Sequence, residues 1–150
     1  MKKFVFFCLA IVFFSCSSDK EDSTVIESTA ILRIKNSNGE NFLNLIEPNN
    51  TELYYENNGN LNLISYNWDY PKGFLVFQEP PVNEKLIKIF CYIESNKTSE
   101  KTFVKWSNND IDTISYNISR FDNGIVIKDL KYNSVSISNN NENGIYEITK

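Results

Sequence analysis

Apolar positions fall into two regimes along this chain. Residues 4–14 form an unbroken run, FVFFCLAIVFF, with Lys2 and Lys3 before it and a polar stretch from Ser15 after it. Beyond residue 28 the apolar and β-branched residues come in short groups, punctuated by Asn, Gly and Pro roughly every ten positions. That spacing predicts strands over 29–35, 41–46, 51–56, 61–66, 74–78, 86–93, 102–107, 111–120, 124–132, 134–138 and 145–149. Ala30, Leu32 and Ile34 alternate with Ile31, Arg33 and Lys35, and Ile114, Tyr116 and Ile118 alternate with Ser115, Asn117 and Ser119. A period of two places one side of each strand on a core and the other toward water. No stretch after residue 22 holds an i, i+3, i+4 apolar stripe for three turns. The expected fold is all-β, an Ig-like antiparallel β-sandwich.

Two local patterns sharpen that expectation. Residues 74–77 (FLVF) and 86–93 (LIKIFCYI) are apolar on both faces, which predicts central strands. Within 124–132 the apolar phase switches from Ile125 and Ile127 to Leu130 and Tyr132, the signature of a β-bulge. Turns are expected at four Asn-Gly pairs, Asn38-Gly39, Asn58-Gly59, Asn123-Gly124 and Asn143-Gly144, because Asn and Gly tolerate the positive φ that tight hairpins require. Pro80-Pro81 closes the 74–78 segment, and Pro71 sits in the loop that carries Trp68 and Tyr70.

The first regime has a different meaning. Eleven apolar residues are too few to cross a hydrocarbon core, which takes about 20, so 4–14 reads as the apolar region of a signal peptide. Ser15-Cys16 follows, and then Ser17-Ser18-Asp19-Lys20-Glu21-Asp22. A small residue directly before a cysteine at the end of such a run resembles the lipobox of bacterial lipoproteins, although Phe13 and Phe14 stand where Leu and Ala or Ser are usual. Relaxed lipoboxes with bulky residues resemble those of Bacteroidota-type lipoproteins. Lys20-Glu21-Asp22 resembles the Lys-acidic-acidic export signal that sends such proteins to the outer face of the outer membrane. The resemblance implies cleavage before Cys16, lipid on Cys16, and anchorage to a membrane. It divides the chain into a signal peptide (1–15), a lipidated cysteine with a flexible tether (16–28) and one β-sandwich domain (29–150). Leu53-Tyr54-Tyr55, Asp69-Tyr70-Pro71-Lys72, and Trp106 followed by Asp110-Ile111-Asp112-Thr113-Ile114 are similar to stretches of small surface lipoproteins of the same type. That resemblance brings no catalytic residues with it.

Composition narrows the chemistry. The chain has 150 residues and a net charge of -4, and without Lys2 and Lys3 it holds 13 basic against 19 acidic side chains. An acidic domain with no basic block is a poor partner for nucleic acid, whose phosphates must be neutralised by clustered cations. Histidine is absent, which removes the commonest general base and zinc ligand together. Of three cysteines, Cys8 lies in the leader and Cys16 ends it, so Cys91 has no partner for a disulfide and reads as a small buried hydrophobe. Asparagine is abundant alongside Lys and Ile, which fits codon bias better than a recognition surface.

Few side chains suggest a site. Asp110 and Asp112 share a face if both are extended, which suits a carboxylate pair or a weak calcium site. A solvated strand end beside an Asn108-Asn109 turn is the plainer reading. No nucleophile elbow or glycine-rich phosphate cradle occurs. Trp68 and Tyr70, in a loop between strands, are the candidates for contact with a glycan or protein partner, with Trp68 as a cap on the sandwich end as the rival reading. Trp106 reads as core. The function expected is a membrane-anchored, non-catalytic binding or accessory module without a cofactor, meeting an envelope protein or glycan. The alternative is a structural or inhibitory lipoprotein that docks another envelope protein, and a carboxylate hydrolase ranks last.

Overall fold

The structure is a computed structural model, which describes residues 25–66, 69–80, 83–139 and 144–150. The described strands are β1 (Val25–Glu27), β2 (Thr29–Lys35), β3 (Glu52–Asn57), β4 (Asn60–Leu63), β5 (Phe74–Glu79), β6 (Glu84–Phe90), β7 (Ser99–Ser107), β8 (Asp110–Phe121), β9 (Gly124–Tyr132), β10 (Val135–Ser136) and β11 (Ile145–Thr149). They build two sheets. One has the order β1-β9-β8-β7-β3-β4, with β10 also on β9; the other has the order β11-β2-β6-β5. The chain is an all-β sandwich. Most neighbours are antiparallel, but β1 runs parallel to β9 and β11 runs parallel to β2. Parallel partners cannot be joined by a tight hairpin, and here each such strand is an edge of its sheet.

Alternation explains how the sheets meet. In β2 the buried set is Ala30, Leu32 and Ile34; in β8 it is Asp112, Ile114, Tyr116 and Ile118. In β7 it is Glu100, Thr102, Val104 and Trp106. The apolar members of these sets meet Ile87 and Ile89 of β6, and Cys91 just beyond it, in one contiguous core. Cys91 is a buried free thiol. Burial pushes its thiol up to about 12, against a smaller opposing effect from the backbone of Ala30.

The expected bulge in β9 is present. Ser115 pairs with Lys131 and Asn117 with Lys128, so Asp129 and Leu130 together oppose Tyr116. Asp129 sits at φ 53, and its carboxylate accepts from Asn117 Nδ2 at 3.0 Å. The buried positions accordingly step from Ile127 to Leu130 and Tyr132. At the β3–β4 hairpin Asn58 and Gly59 both have positive φ, the mirror-image turn whose twist matches its strands. Asn123-Gly124 behaves differently: Phe121 pairs with Gly124, so Asp122 and Asn123 make the turn and Gly124 opens β9. Asn143 lies outside the described residues.

Four sequence expectations need correction. Residues 41–46 form no strand; Phe42–Asn44 is a 3-10 turn, capped by Asn41, whose side chain accepts from Leu43 N. Adjacent apolar pairs at 42–43 and 45–46 give two contact faces to a tight turn, which a period of two cannot do. A second 3-10 turn follows at Pro48–Asn50. Residues 25–27, placed in the tether by the sequence, pair with β9. β5 is an edge strand, not a central one, while β6 is central as expected. Asp112 is 5 % exposed, so it is no solvated strand end.

Candidate functional site

Asp112 stands on the core-facing phase of β8, and a carboxylate there survives only if its oxygens are fully engaged. They are. Trp106 Nε1 donates to Oδ2 at 2.6 Å, Asn133 Nδ2 donates to Oδ1 at 2.6 Å, and the Tyr132 hydroxyl and Lys150 Nζ both donate to Oδ2. Asn133 is itself fixed at positive φ in a two-residue Asn133-Ser134 turn. Its Oδ1 accepts from Thr113 N at 2.8 Å and its own N–H donates to Thr113 O at 2.9 Å. Burial works to raise the Asp112 carboxyl, but hydrogen bonds from Asn133, Lys150, Tyr132 and Trp106 outweigh it and hold the group below the ordinary carboxylate range. The Tyr132 phenol is pushed up by burial and by its bond to Asp112.

Lys150 closes this network. Its Nζ also reaches Asp110 Oδ1 at 2.5 Å and lies 5.1 Å from the Phe42 ring centroid and 5.6 Å from that of Trp106. Phe42 meets Trp106 edge-on, with centroids 5.4 Å apart at 81°. Asp110 and Asp112 therefore do share a face, as their spacing predicts, and an ammonium group bridges them. Among the described residues no third acidic or cysteine side chain joins them in a metal-ligand set.

Trp106 links this cluster to a cleft of about 690 Å³ at one end of the sandwich. Three connections build its walls: Leu45–Asn50 between β2 and β3, Ile64, Ser65 and Lys72 between β4 and β5, and Ser107 and Asn108 at the β7–β8 turn. Leu45 and Leu63 stand on its lips at 58 % and 54 % exposure. Thr51, at the base, is 1 % exposed, and its Oγ1 has no hydrogen-bond partner among the described residues. Charges around the cleft are largely spent. Lys105 pairs with Glu52 at 2.8 Å, Tyr54 donates to the same carboxylate, and Lys72 donates to the Asn49 carbonyl at 2.5 Å. The Lys105 bond is the first cause of the Glu52 carboxyl lying below its ordinary range. A mixed lining of this kind and volume is what small-ligand pockets use: apolar contact area with a few polar groups that set orientation.

The residues singled out in the sequence scatter. Cys16, Lys20, Glu21, Asp22 and Trp68 lie outside the described residues. Tyr70 is half-buried and stacks on Phe90 of β6, centroids 5.3 Å apart at 16°. Trp106 is core, as its alternation predicts, and it also backs the cleft. Tyr132, Asn133, Lys150, Thr51, Leu45 and Leu63 were not legible as site residues. Asp112 was only half legible: its phase with Ile114, Tyr116 and Ile118 places it inward, which should have outweighed its polarity. Among the described residues no helix is long and apolar enough to cross a membrane. No protein-family model, curated protein or solved structure matches this chain.

Proposed function

We propose that this chain is a membrane-anchored lipoprotein, lipidated on Cys16 after loss of residues 1–15 and displayed on the outer surface, where it acts as a non-catalytic binding or accessory module. The membrane is its partner through the lipid, and the cleft beside Trp106 meets an envelope protein or glycan. Each lipid methylene that inserts contributes about 0.8 kcal/mol, so more than one acyl chain on Cys16 makes release slow. A Lys20-Glu21-Asp22 export signal would set the outer face as the destination.

The observation that carries the binding reading is the cleft: strand-end connections surround it, and two leucines are exposed on its lips. Loops held by a rigid sheet are where recognition is usually placed. Trp68 and Tyr70 stand in sequence between Ser65 and Lys72, two residues that line the cleft, and both are kept as candidate contacts. A hydrolase gains no support from Asp112, whose carboxyl is held ionised by four donors rather than kept protonated for acid catalysis.

Two measurements test this. Globomycin should block processing, and Cys16→Ala should release the protein from the envelope and from surface protease. A soluble, unlipidated wild-type product would refute the anchoring. A photoreactive residue at Leu63 should cross-link one recurrent envelope component on intact cells, while the same residue at exposed Ile26 should not. Equal, diffuse labelling from both would refute the cleft as the contact.

A further inference from the structure

Strand direction fixes which end of the sandwich lies nearest the entry of the chain. β8 starts at Asp110, beside the cleft residues Ser107 and Asn108, and ends at Phe121. β9 returns from Gly124, which pairs with Phe121, and β1 runs parallel to β9 with Val25 beside Gly124 and Ile26 beside Ile125. The polypeptide therefore enters the fold at the Phe121 end, and the cleft lies at the other. At about 3.3 Å per residue, β8 separates the two ends by about 36 Å. Cys16 stands nine residues ahead of Val25, and a stretch of that length spans at most about 32 Å when fully extended. If Cys16 carries lipid in a membrane, that reach is too short for the cleft end to rest on the bilayer with Val25 a full sandwich length away.

The entry end carries the side chains such a boundary takes. Phe121 is 52 % exposed and Ile26 is 65 % exposed. Phe121 lies across Gly124 from Val25, and Ile26 is the next residue of β1, so the two stand in neighbouring rows of one sheet end. Successive rows point to opposite faces, and the pair therefore flanks that end from both sides. The tip is held. Arg120 donates through Nη1 to Lys97 O and through Nη2 to Glu94 O at 2.6 Å, tying the β8–β9 turn to the connection that leads into β7. An end already ordered gives up little entropy on contact. Asp122 is exposed beside Phe121, which suits zwitterionic headgroups rather than anionic ones. Two apolar side chains make a weak contact alone, but a tether makes that contact intramolecular and raises its effective concentration.

We infer that the end of the sandwich bearing Phe121 and Ile26 rests on the lipid bilayer, with both side chains at headgroup level, and that the cleft faces away from the membrane. This inference rests on the lipidation of Cys16. The cleft then meets a component beyond the lipid surface, whereas Ile26 meets lipid and neither an envelope protein nor a glycan.

The test uses the full chain with its lipid, reconstituted in vesicles of phosphatidylcholine and phosphatidylethanolamine doped with headgroup-spin-labelled lipid. A fluorophore is attached through Asn123→Cys, in the exposed β8–β9 turn, or through Asn108→Cys, exposed on the cleft rim. Cys91 is buried and stays unlabelled. Quenching should be several-fold stronger at residue 123 than at residue 108. Phe121→Ser with Ile26→Ser should bring residue 123 down to the level of residue 108 while the chain still floats with the vesicles. Circular dichroism of each variant establishes that the sandwich persists. In a floating chain, equal quenching at both positions, stronger quenching at 108, or no response to the serine pair would overturn the membrane-facing end and leave the anchoring intact. A chain that does not float with the vesicles would overturn the anchoring, and this inference with it.

Discussion

Replacing Asp112 with asparagine keeps the shape of the side chain and removes its charge, which isolates what the carboxylate contributes. The wild-type group accepts from Trp106, Tyr132, Asn133 and Lys150. An amide offers one oxygen and presents an N–H on its other side, so Asn133 loses its acceptor if the oxygen takes the Oδ2 position, and the other three donors lose theirs if it takes the Oδ1 position. A hydrogen bond to a charged group contributes about 1.5–3 kcal/mol, and removing one member of a buried ion pair costs about 3–5 kcal/mol. Lys150 has 17 % side-chain exposure and a route to water, which favours the lower end, about 3 kcal/mol. That is a large part of the roughly 5–15 kcal/mol that holds a domain together. Because the folded carboxyl lies below its ordinary value, the contribution is fully present above the unfolded pKa, near 3.9, and is lost as pH falls through the folded pKa. Urea unfolding of wild type and Asp112→Asn, followed by circular dichroism across a pH series, measures the gap. It should be constant at neutral pH and shrink under acid conditions. A gap below about 0.5 kcal/mol at pH 7, or one that widens on acidification, would refute the account.

Further outcomes follow from single positions. Lys150→Met should destabilise the domain, and in a double-mutant cycle with Asp112→Asn the two losses should fall short of their sum, since both remove one contact. Gly73 sits at φ 77, and a Cβ there would stand 2.9 Å from Ile64 Cγ2 and 3.3 Å from Leu53 Cδ1; Gly73→Ala should lower stability by about 2 kcal/mol or more in thermal unfolding. Cys91 should resist alkylation in the folded protein near neutral pH and react fully in denaturant, because its thiol is buried and pushed up to about 12; quantitative labelling of the native state would contradict its placement.

How far the sequence carried depended on what each signal reports. Three strands, 29–35, 124–132 and 145–149, fall where the periodicity places them, and the β9 bulge was visible as a switch of phase. Periodicity reports which faces are covered and says nothing about hydrogen bonding at the strand's flank, so FLVF looked like an interior strand and lies at an edge. β1 is three residues long, too short for any period, and exists because β9 offers it a ladder. The cleft was illegible for a further reason. Its walls come from segments far apart in sequence: pairing of β4 and β7 on either side of β3 brings Leu63 and Ser107 to one region, and the connection between β2 and β3 adds Leu45. Asp112 shows the opposite case, where the signal was present and residue type distracted from it.

Between Glu27 and Thr29 the chain crosses from one sheet to the other through Ser28 alone, whose carbonyl accepts from Cys91 N at 2.8 Å. A pull on the polypeptide ahead of Val25, directed along the strand, therefore meets three residue pairs with β9 side by side, loaded in shear. Immediately behind them it meets β2, locked between β11 and β6. The domain is stitched at its entry point to both halves of the fold, and tension arriving there would be shared by the sheets before either could peel.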